Sequence, residues 1–266
     1  MSEHPLRAAF TQARAQGRPA LVVYVMAGDP TLEATVALVP RLAEAGADVI
    51  ELGVPFSDPM ADGPVLQAAA QRALGAGATV ARVLEAAGRI QCSAPRLLMG
   101  YLNPILSYGE ARFARDAKRA GISGAIMADL PGEEAAGFAS KLRAEGLAFV
   151  PLVAPTTPPQ RMTEIAKLAD GFVYYVSVTG VTGARTALPP DLAPKIAAAR
   201  AAITPAPLAV GFGIGTPEQA RTVGGLADGV VVGSALVRTL HERGGDAAVE
   251  LVRSLARALS EAGRAT

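Results

Sequence analysis

Apolar and polar positions alternate along this chain in blocks of two kinds. Short apolar runs occupy residues 21–25, 49–52, 97–99, 125–127, 148–153, 172–176, 208–210 and 229–232. Most are continuous rather than alternating, the pattern of parallel strands covered on both faces. Between them lie amphipathic, alanine-rich stretches at 32–45, 110–120, 133–145, 159–168, 191–202 and 217–223. Their apolar residues recur at helical spacing. A run of about eight such units predicts an α/β fold, a single (β/α)8 TIM barrel. A doubly wound open sheet is the rival, and eight units with no lone edge strand suit closure better. Residues before Leu21 predict an extra N-terminal helix, and 246–262 a C-terminal closing helix. No Ser/Gly linker or charge block divides the chain, so residues 1–266 read as one catalytic barrel domain.

Composition narrows the partners. Half of the residues are hydrophobic, enough for a large core. The formal charge is +1, from 25 basic and 24 acidic residues, which points to neither nucleic acid nor a membrane surface. The single cysteine, Cys92, allows no internal disulfide and fits a reducing compartment. It has no histidine nearby and reads as structural. No apolar run approaches the roughly 20 residues that span a bilayer. The early residues carry no signal-peptide pattern, so the expected location is cytoplasmic.

Catalytic groups of such barrels sit at the C-terminal ends of the strands. The second strand ends in Glu51, followed by GVPFSDPMADGP. Tyr101 and Asn103-Pro104 follow the third strand, and Asp129-Leu130-Pro131 the fourth. The two histidines, His4 and His241, lie away from strand ends, and no His/Cys/carboxylate cluster has metal-ligand spacing, so no metal site is expected. The four lysines, 118, 141, 167 and 195, all fall in helical stretches, which argues against a Schiff base. Carboxylates remain for proton transfer.

Ile50 and Leu52 flank Glu51, and adjacent strand residues point to opposite faces. If both apolar neighbours meet the helix layer, Glu51 points into the barrel mouth, where lost solvation raises its pKa. A hydrogen-bonded core glutamate is the plainer alternative. Asp58 and Asp62 lie in the loop that follows, and each reads equally as a helix cap. Asp129 reads as a substrate ligand, a partner contact or a turn former. Gly211-Phe212-Gly213 and Gly233-Ser234 follow the last two strands, where barrels often bind phosphate through backbone N–H groups. Gly180–Gly183 can add donors, and the stretch 177–188 is long enough to act as a lid.

ELGVPFSDPMADGP resembles the signature of the tryptophan synthase alpha subunit family. AGDP (Ala27–Pro30), Tyr101 with NPI, DLP (Asp129–Pro131), GVTG (Gly180–Gly183), GFGI (Gly211–Ile214) and DGVVVGSA (Asp228–Ala235) extend the match in family order. Met60 stands where leucine is common, a conservative change. The resemblance implies retro-aldol cleavage of indole-3-glycerol phosphate to indole and glyceraldehyde 3-phosphate, in L-tryptophan biosynthesis. It implies Glu51 as general acid–base, Asp62 as partner of the indole N–H, and Tyr174 as an active-site tyrosine, with Tyr175 beside it. Thr182, Gly183, Gly211, Gly213, Gly233 and Ser234 match the substrate and phosphate grip, while Tyr24 and Phe212 would line the indole pocket. It also implies an alpha2-beta2 complex with a beta subunit that carries pyridoxal phosphate and receives the indole, leaving this chain without a cofactor. Pro55, Asp58, Asn103, Pro104, Asp129 and Pro131 are the interface candidates. A stand-alone lyase and a non-catalytic regulatory barrel subunit are the alternatives.

Overall fold

Every strand of the sheet is parallel to its neighbours. The computed structural model describes residues 3–176, 191–211 and 213–262. Nine strands follow the chain: β1 (Ala20–Met26), β2 (Val49–Gly53), β3 (Arg96–Gly100), β4 (Ile122–Met127), β5 (Ala148–Phe149), β6 (Leu152–Val153), β7 (Val173–Val176), β8 (Leu208–Gly211) and β9 (Gly229–Val232). Their order in the sheet is β5-β4-β3-β2-β1-β9-β8-β7-β6. β5 and β6 are two pieces of one stave, interrupted at Val150-Pro151 because proline has no N–H for the ladder. The Val150 N–H still bonds to the Ala125 carbonyl at 3.0 Å, and Pro151 accepts from the Tyr174 N–H at 3.0 Å. One edge therefore meets β4 and the other β7, and eight staves close the TIM barrel that the hydrophobic pattern predicts.

Eleven helices are described: α1 (Pro5–Ala15), α2 (Leu32–Glu44), α3 (Pro64–Gly75), α4 (Val80–Arg89), α5 (Leu102–Tyr108), α6 (Glu110–Arg119), α7 (Ala136–Ala144), α8 (Pro159–Ala166), α9 (Leu192–Ile203), α10 (Pro217–Gly224) and α11 (Ser234–Ala262). The expected closing helix is the second part of α11, whose two halves meet at Gly244 with φ 80°. Asn103-Pro104, which follow the third strand, sit in the first turn of α5, where a proline loses no helical hydrogen bond. The helix expected from 133 begins at Ala136.

α1 is the extra N-terminal helix, and it seals the barrel floor. Leu6 and Phe10 are buried, and Phe10 packs on Phe172 with ring centroids 4.9 Å apart. Gly124 and Gly229 make that possible: a Cβ would come within 3.1 Å of the Leu6 side chain at the first and 2.6 Å of Phe10 at the second. Above this floor, Val22, Val49, Leu97, Ile126, Val150, Phe172 and Val231 form the interior layer. Ile50 and Leu52 belong instead to the larger cluster shared with the helices. The residue between them therefore faces inward, and the next interior layer up is polar.

Candidate active site

That upper layer sits at the C-terminal ends of the staves. Tyr24 on β1 and Glu51 on β2 are register partners, so their side chains share the inner face. Together with Met99, Tyr174, Gly213, Ile214, Gly233, Ser234, Ala235 and Leu66 they line a mouth with about 460 Å3 of free space, part of it open to solvent. A wider groove at the opposite end, beside α1, carries several arginines, and its one acid, Asp228, is paired with Arg200 at 2.7 Å. The unpaired buried acid, and hence the chemistry, lies in the upper mouth.

Glu51 is completely buried, and neither carboxyl oxygen has a hydrogen-bond partner among the described residues. The alternative of a hydrogen-bonded structural glutamate does not describe this side chain. Burial alone pushes its pKa from 4.5 to about 8. At neutral pH it holds a proton that it can give away and take back.

Asp62 lies in the loop between β2 and α3, near enough to the mouth residues Tyr24 and Tyr174 to act on both electrostatically. It is not the cap of α3: Gly63 occupies that position, without a side-chain cap bond. Its main chain is held by its own N–H to Pro59 at 3.1 Å and by the Gln67 amide to its carbonyl at 2.8 Å. Burial raises its pKa to about 6, opposed by a hydrogen bond from Tyr101. At neutral pH Asp62 is mainly an anion and Glu51 mainly a neutral acid, and Tyr24 and Tyr174 feel both.

Tyr24 and Tyr174 border Glu51, and both feel the two carboxylates. Their hydroxyls are pushed well above 10 by burial first and then by Asp62 and Glu51. Glycines make room for them. A Cβ at Gly53 would stand 2.0 Å from the Tyr24 hydroxyl, and one at Gly211 would stand 2.3 Å from that of Tyr174. Tyr175 points the other way, into the helix layer, with its hydroxyl buried and unpartnered among the described residues. The ambiguity between the two tyrosines thus resolves geometrically: only Tyr174 lines the mouth.

The turns after the last two staves reach the mouth as well. Gly213 has φ +83°, a conformation open to glycine. Gly233 and Ser234 lead into the first turn of α11, whose free N–H groups and dipole favour an anion. Thr182, Gly183, Phe212 and the stretch 177–188 lie outside the described residues.

The interface candidates share this end of the barrel without lining the cavity. Asp58, Asn103, Asp129 and Pro131 are exposed, Pro104 is half-buried and Pro55 is buried. Asp129 accepts the Leu102 N–H at 2.8 Å at the start of α5, and Asp58 accepts from the Ser57 hydroxyl at 2.5 Å. Met60 and Leu106, large apolar residues on the same rim, are 86% and 52% exposed. Sequence reasoning missed Leu66, Met99, Ile214 and Ala235 as lining residues. Met99 was findable from its place at a strand end; the others were signalled only by their neighbours. It also left Tyr101 without a role. Among the described residues, no three His, Cys, Asp or Glu side chains stand together as a metal site requires. No described helix is long and apolar enough to cross a membrane.

Comparison with known proteins agrees with this arrangement. The family model for the tryptophan synthase alpha chain matches residues 10–264. The alpha chain of Geobacter sulfurreducens is 52% identical over 249 residues, covering 93% of each chain. That of Gluconacetobacter diazotrophicus is 52% identical over 236 residues, 88% of this chain and 86% of the relative. Among solved structures, the alpha chain from Legionella pneumophila superposes with a TM-score of 0.89 at 38% identity, covering 97% of this chain and 98% of that one. Mycobacterium tuberculosis tryptophan synthase gives 0.90 at 38% identity, covering 97% and 99%. With a closed barrel, a buried unpaired glutamate at its mouth and similarity along nearly its whole length, this chain belongs to the tryptophan synthase alpha chain family.

Proposed function

We propose that the chain, as a single barrel domain, is a lyase that cleaves indole-3-glycerol phosphate into indole and glyceraldehyde 3-phosphate and passes the indole to a beta subunit for L-tryptophan synthesis. The observation that carries this reading is Glu51: fully buried, unpaired and protonated near neutrality, with an ionised Asp62 acting on the same Tyr24 and Tyr174. The Glu51 carboxyl gives its proton to indole C3. Positive charge then spreads to the ring nitrogen, where the Asp62 anion stabilises it and accepts the N–H. As the C3–glycerol bond breaks, its electron pair restores the aromatic ring. The adjacent glycerol hydroxyl becomes the aldehyde, and its proton returns to Glu51. One proton leaves the glutamate and one comes back, so the enzyme ends as it began. Each transfer contributes about 10²–10⁴-fold.

Tyr174 closes the pocket beside Glu51, and Tyr24 and Phe212 flank the ring. Gly211, Gly213, Gly233 and Ser234, with Thr182 and Gly183, hold the phosphate end. The chemistry asks for no cofactor in this chain; pyridoxal phosphate belongs to the beta subunit. That partner docks on the rim formed by Pro55, Asp58, Asn103, Pro104, Asp129 and Pro131, in an alpha2-beta2 complex in the cytoplasm. The exposed Met60 and Leu106 on that rim support a docked barrel over a stand-alone lyase. Glu51→Gln is expected to abolish cleavage with the fold intact by circular dichroism; undiminished turnover would sink the assignment. Indole release is expected to quicken when a beta subunit is added, and equal rates with and without it would favour the stand-alone lyase.

A further inference from the structure

A third tyrosine approaches Asp62 from the end of β3, and its hydroxyl is used twice. Tyr101 caps α5 and is 6% exposed. Its oxygen accepts the Ala61 N–H at 3.0 Å, and its proton is donated to the Asp62 carboxylate. Its ring lies against Phe56, centroids 5.4 Å apart, near the other end of the same loop. The peptide that follows Tyr101 is anchored in turn, because Asp129 holds the Leu102 N–H at 2.8 Å.

These contacts divide the work of holding Asp62. Pro59 and Gln67 tie its main chain. Neither sets the rotation of the carboxylate, which is free about two bonds until something grips its oxygens. Tyr101 does so. With a lone pair committed to the Ala61 amide, its O–H is polarised and donates more strongly. The hydroxyl thus ties the carboxylate to the loop backbone one residue before it.

We propose that Tyr101 is a positioning residue: through its hydroxyl it holds the Asp62 carboxylate as an aimed anion in the barrel mouth. The proposal rests on the reading in which Asp62 receives the indole N–H, and Tyr101 itself acts through Asp62 without touching substrate. The titratable groups that interact with Asp62 are Tyr101 from the α5 cap, Tyr24 from β1 and Tyr174 from β7; Glu51 acts on the same Tyr24 and Tyr174, and Asp129 lies behind Tyr101. Of these, Tyr101 is the one whose contact favours the ionised carboxylate.

The test compares the full chain with its Tyr101→Phe variant, which keeps the ring against Phe56 and loses the hydroxyl. Carbon-13 NMR of aspartate-labelled protein, with Asp62→Asn to assign the signal, follows the Asp62 carboxylate through its titration. The midpoint is expected to rise in Tyr101→Phe, and an unchanged midpoint overturns the proposal. In the cleavage assay, kcat near pH 7 is expected to fall about tenfold with little change in KM. The acid limb moves to higher pH toward the limb set by Glu51, so the ratio of variant to wild-type rate rises with pH. An equal loss at every pH means a structural role and also overturns it. A fluorotyrosine at position 101 guards against a folding failure, because it keeps both ring and hydroxyl. Its more acidic phenol is a stronger donor, so the Asp62 midpoint is expected to move down, and a static midpoint counts against the proposal. The NMR arm needs no substrate. If it succeeds while the wild-type chain cleaves nothing, the proposed reaction falls and the hold on Asp62 stands.

Discussion

Replacing Glu51 by glutamine is expected to end catalysis and, at neutral pH, to stabilise the protein. Glutamine has nearly the shape of a protonated glutamate, and neither Glu51 oxygen has a partner among the described residues to lose. The two side chains differ only when the carboxyl would ionise. Folding raises the Glu51 pKa from 4.5 to about 8, so the folded chain keeps a proton that the unfolded chain releases. Stability is therefore undiminished below about pH 4.5 and declines as pH rises toward 8. Each pH interval of one between those midpoints costs about 1.4 kcal/mol. From pH 5 to pH 7 the wild-type protein should lose about 2.5 kcal/mol that Glu51→Gln retains. Asp62 has a slope of the same sign from 3.8 to about 6, shared by both proteins, so it cancels in their difference. Urea denaturation at pH 5, 6, 7 and 8 measures that difference directly. Parallel curves for the two proteins would mean that Glu51 is solvated or paired, and would refute the claim that burial sets its proton affinity.

Other outcomes follow from the same geometry. If Asp62 must be ionised and Glu51 protonated, kcat/KM is expected to trace a bell with limbs near pH 6 and pH 8; a profile flat from 5 to 9 contradicts those roles. Gly53→Ala would place a methyl 2.0 Å from the Tyr24 hydroxyl, and is expected to cost about 1–3 kcal/mol by denaturant titration and to expel the ring from the mouth. Arg72→Ala would strip Asp29, 5% exposed, of a two-point ion pair at 2.6 and 2.8 Å; a loss of about 1–3 kcal/mol in urea denaturation is expected, without a change in kcat.

The fold was readable because its signals are local. Parallel staves covered on both sides show as continuous apolar runs, and the eight runs found in the chain correspond to the eight staves. The break in the fifth stave follows from Pro151, yet the run 148–153 looks continuous because apolarity carries no record of a missing N–H. The inward turn of Glu51 was also local, following from Ile50 and Leu52 on either side. Asp62 was not readable in this way. Its environment depends on Tyr101, 39 residues further along and on another stave's loop, and no period or spacing links the two. The same holds for Gly53 and Gly211. Each reads as an ordinary strand-end glycine until Tyr24 or Tyr174 is seen lying over it.

The two carboxylates also show why residue type alone could not assign roles. Both belong to the same chemical class, and both are raised by burial. Glu51 is enclosed by β1, β2 and β7 side chains with no donor among the described residues, so nothing offsets desolvation and it stays a neutral acid past pH 7. Asp62 is less deeply buried and starts from a lower ordinary value, and one hydroxyl donates to it, so its balance falls near pH 6. That difference of about two between the midpoints opens a pH window in which one group is an acid and the other an anion, as the proposed cleavage requires. The window reflects the deeper burial of Glu51 and the higher ordinary pKa of a glutamate first, and the hydrogen bond to Asp62 next. It narrows if the bond is removed, because the Asp62 midpoint then climbs toward that of Glu51. Division of labour between the two carboxylates therefore resides in their surroundings, burial first and the donor beside Asp62 next.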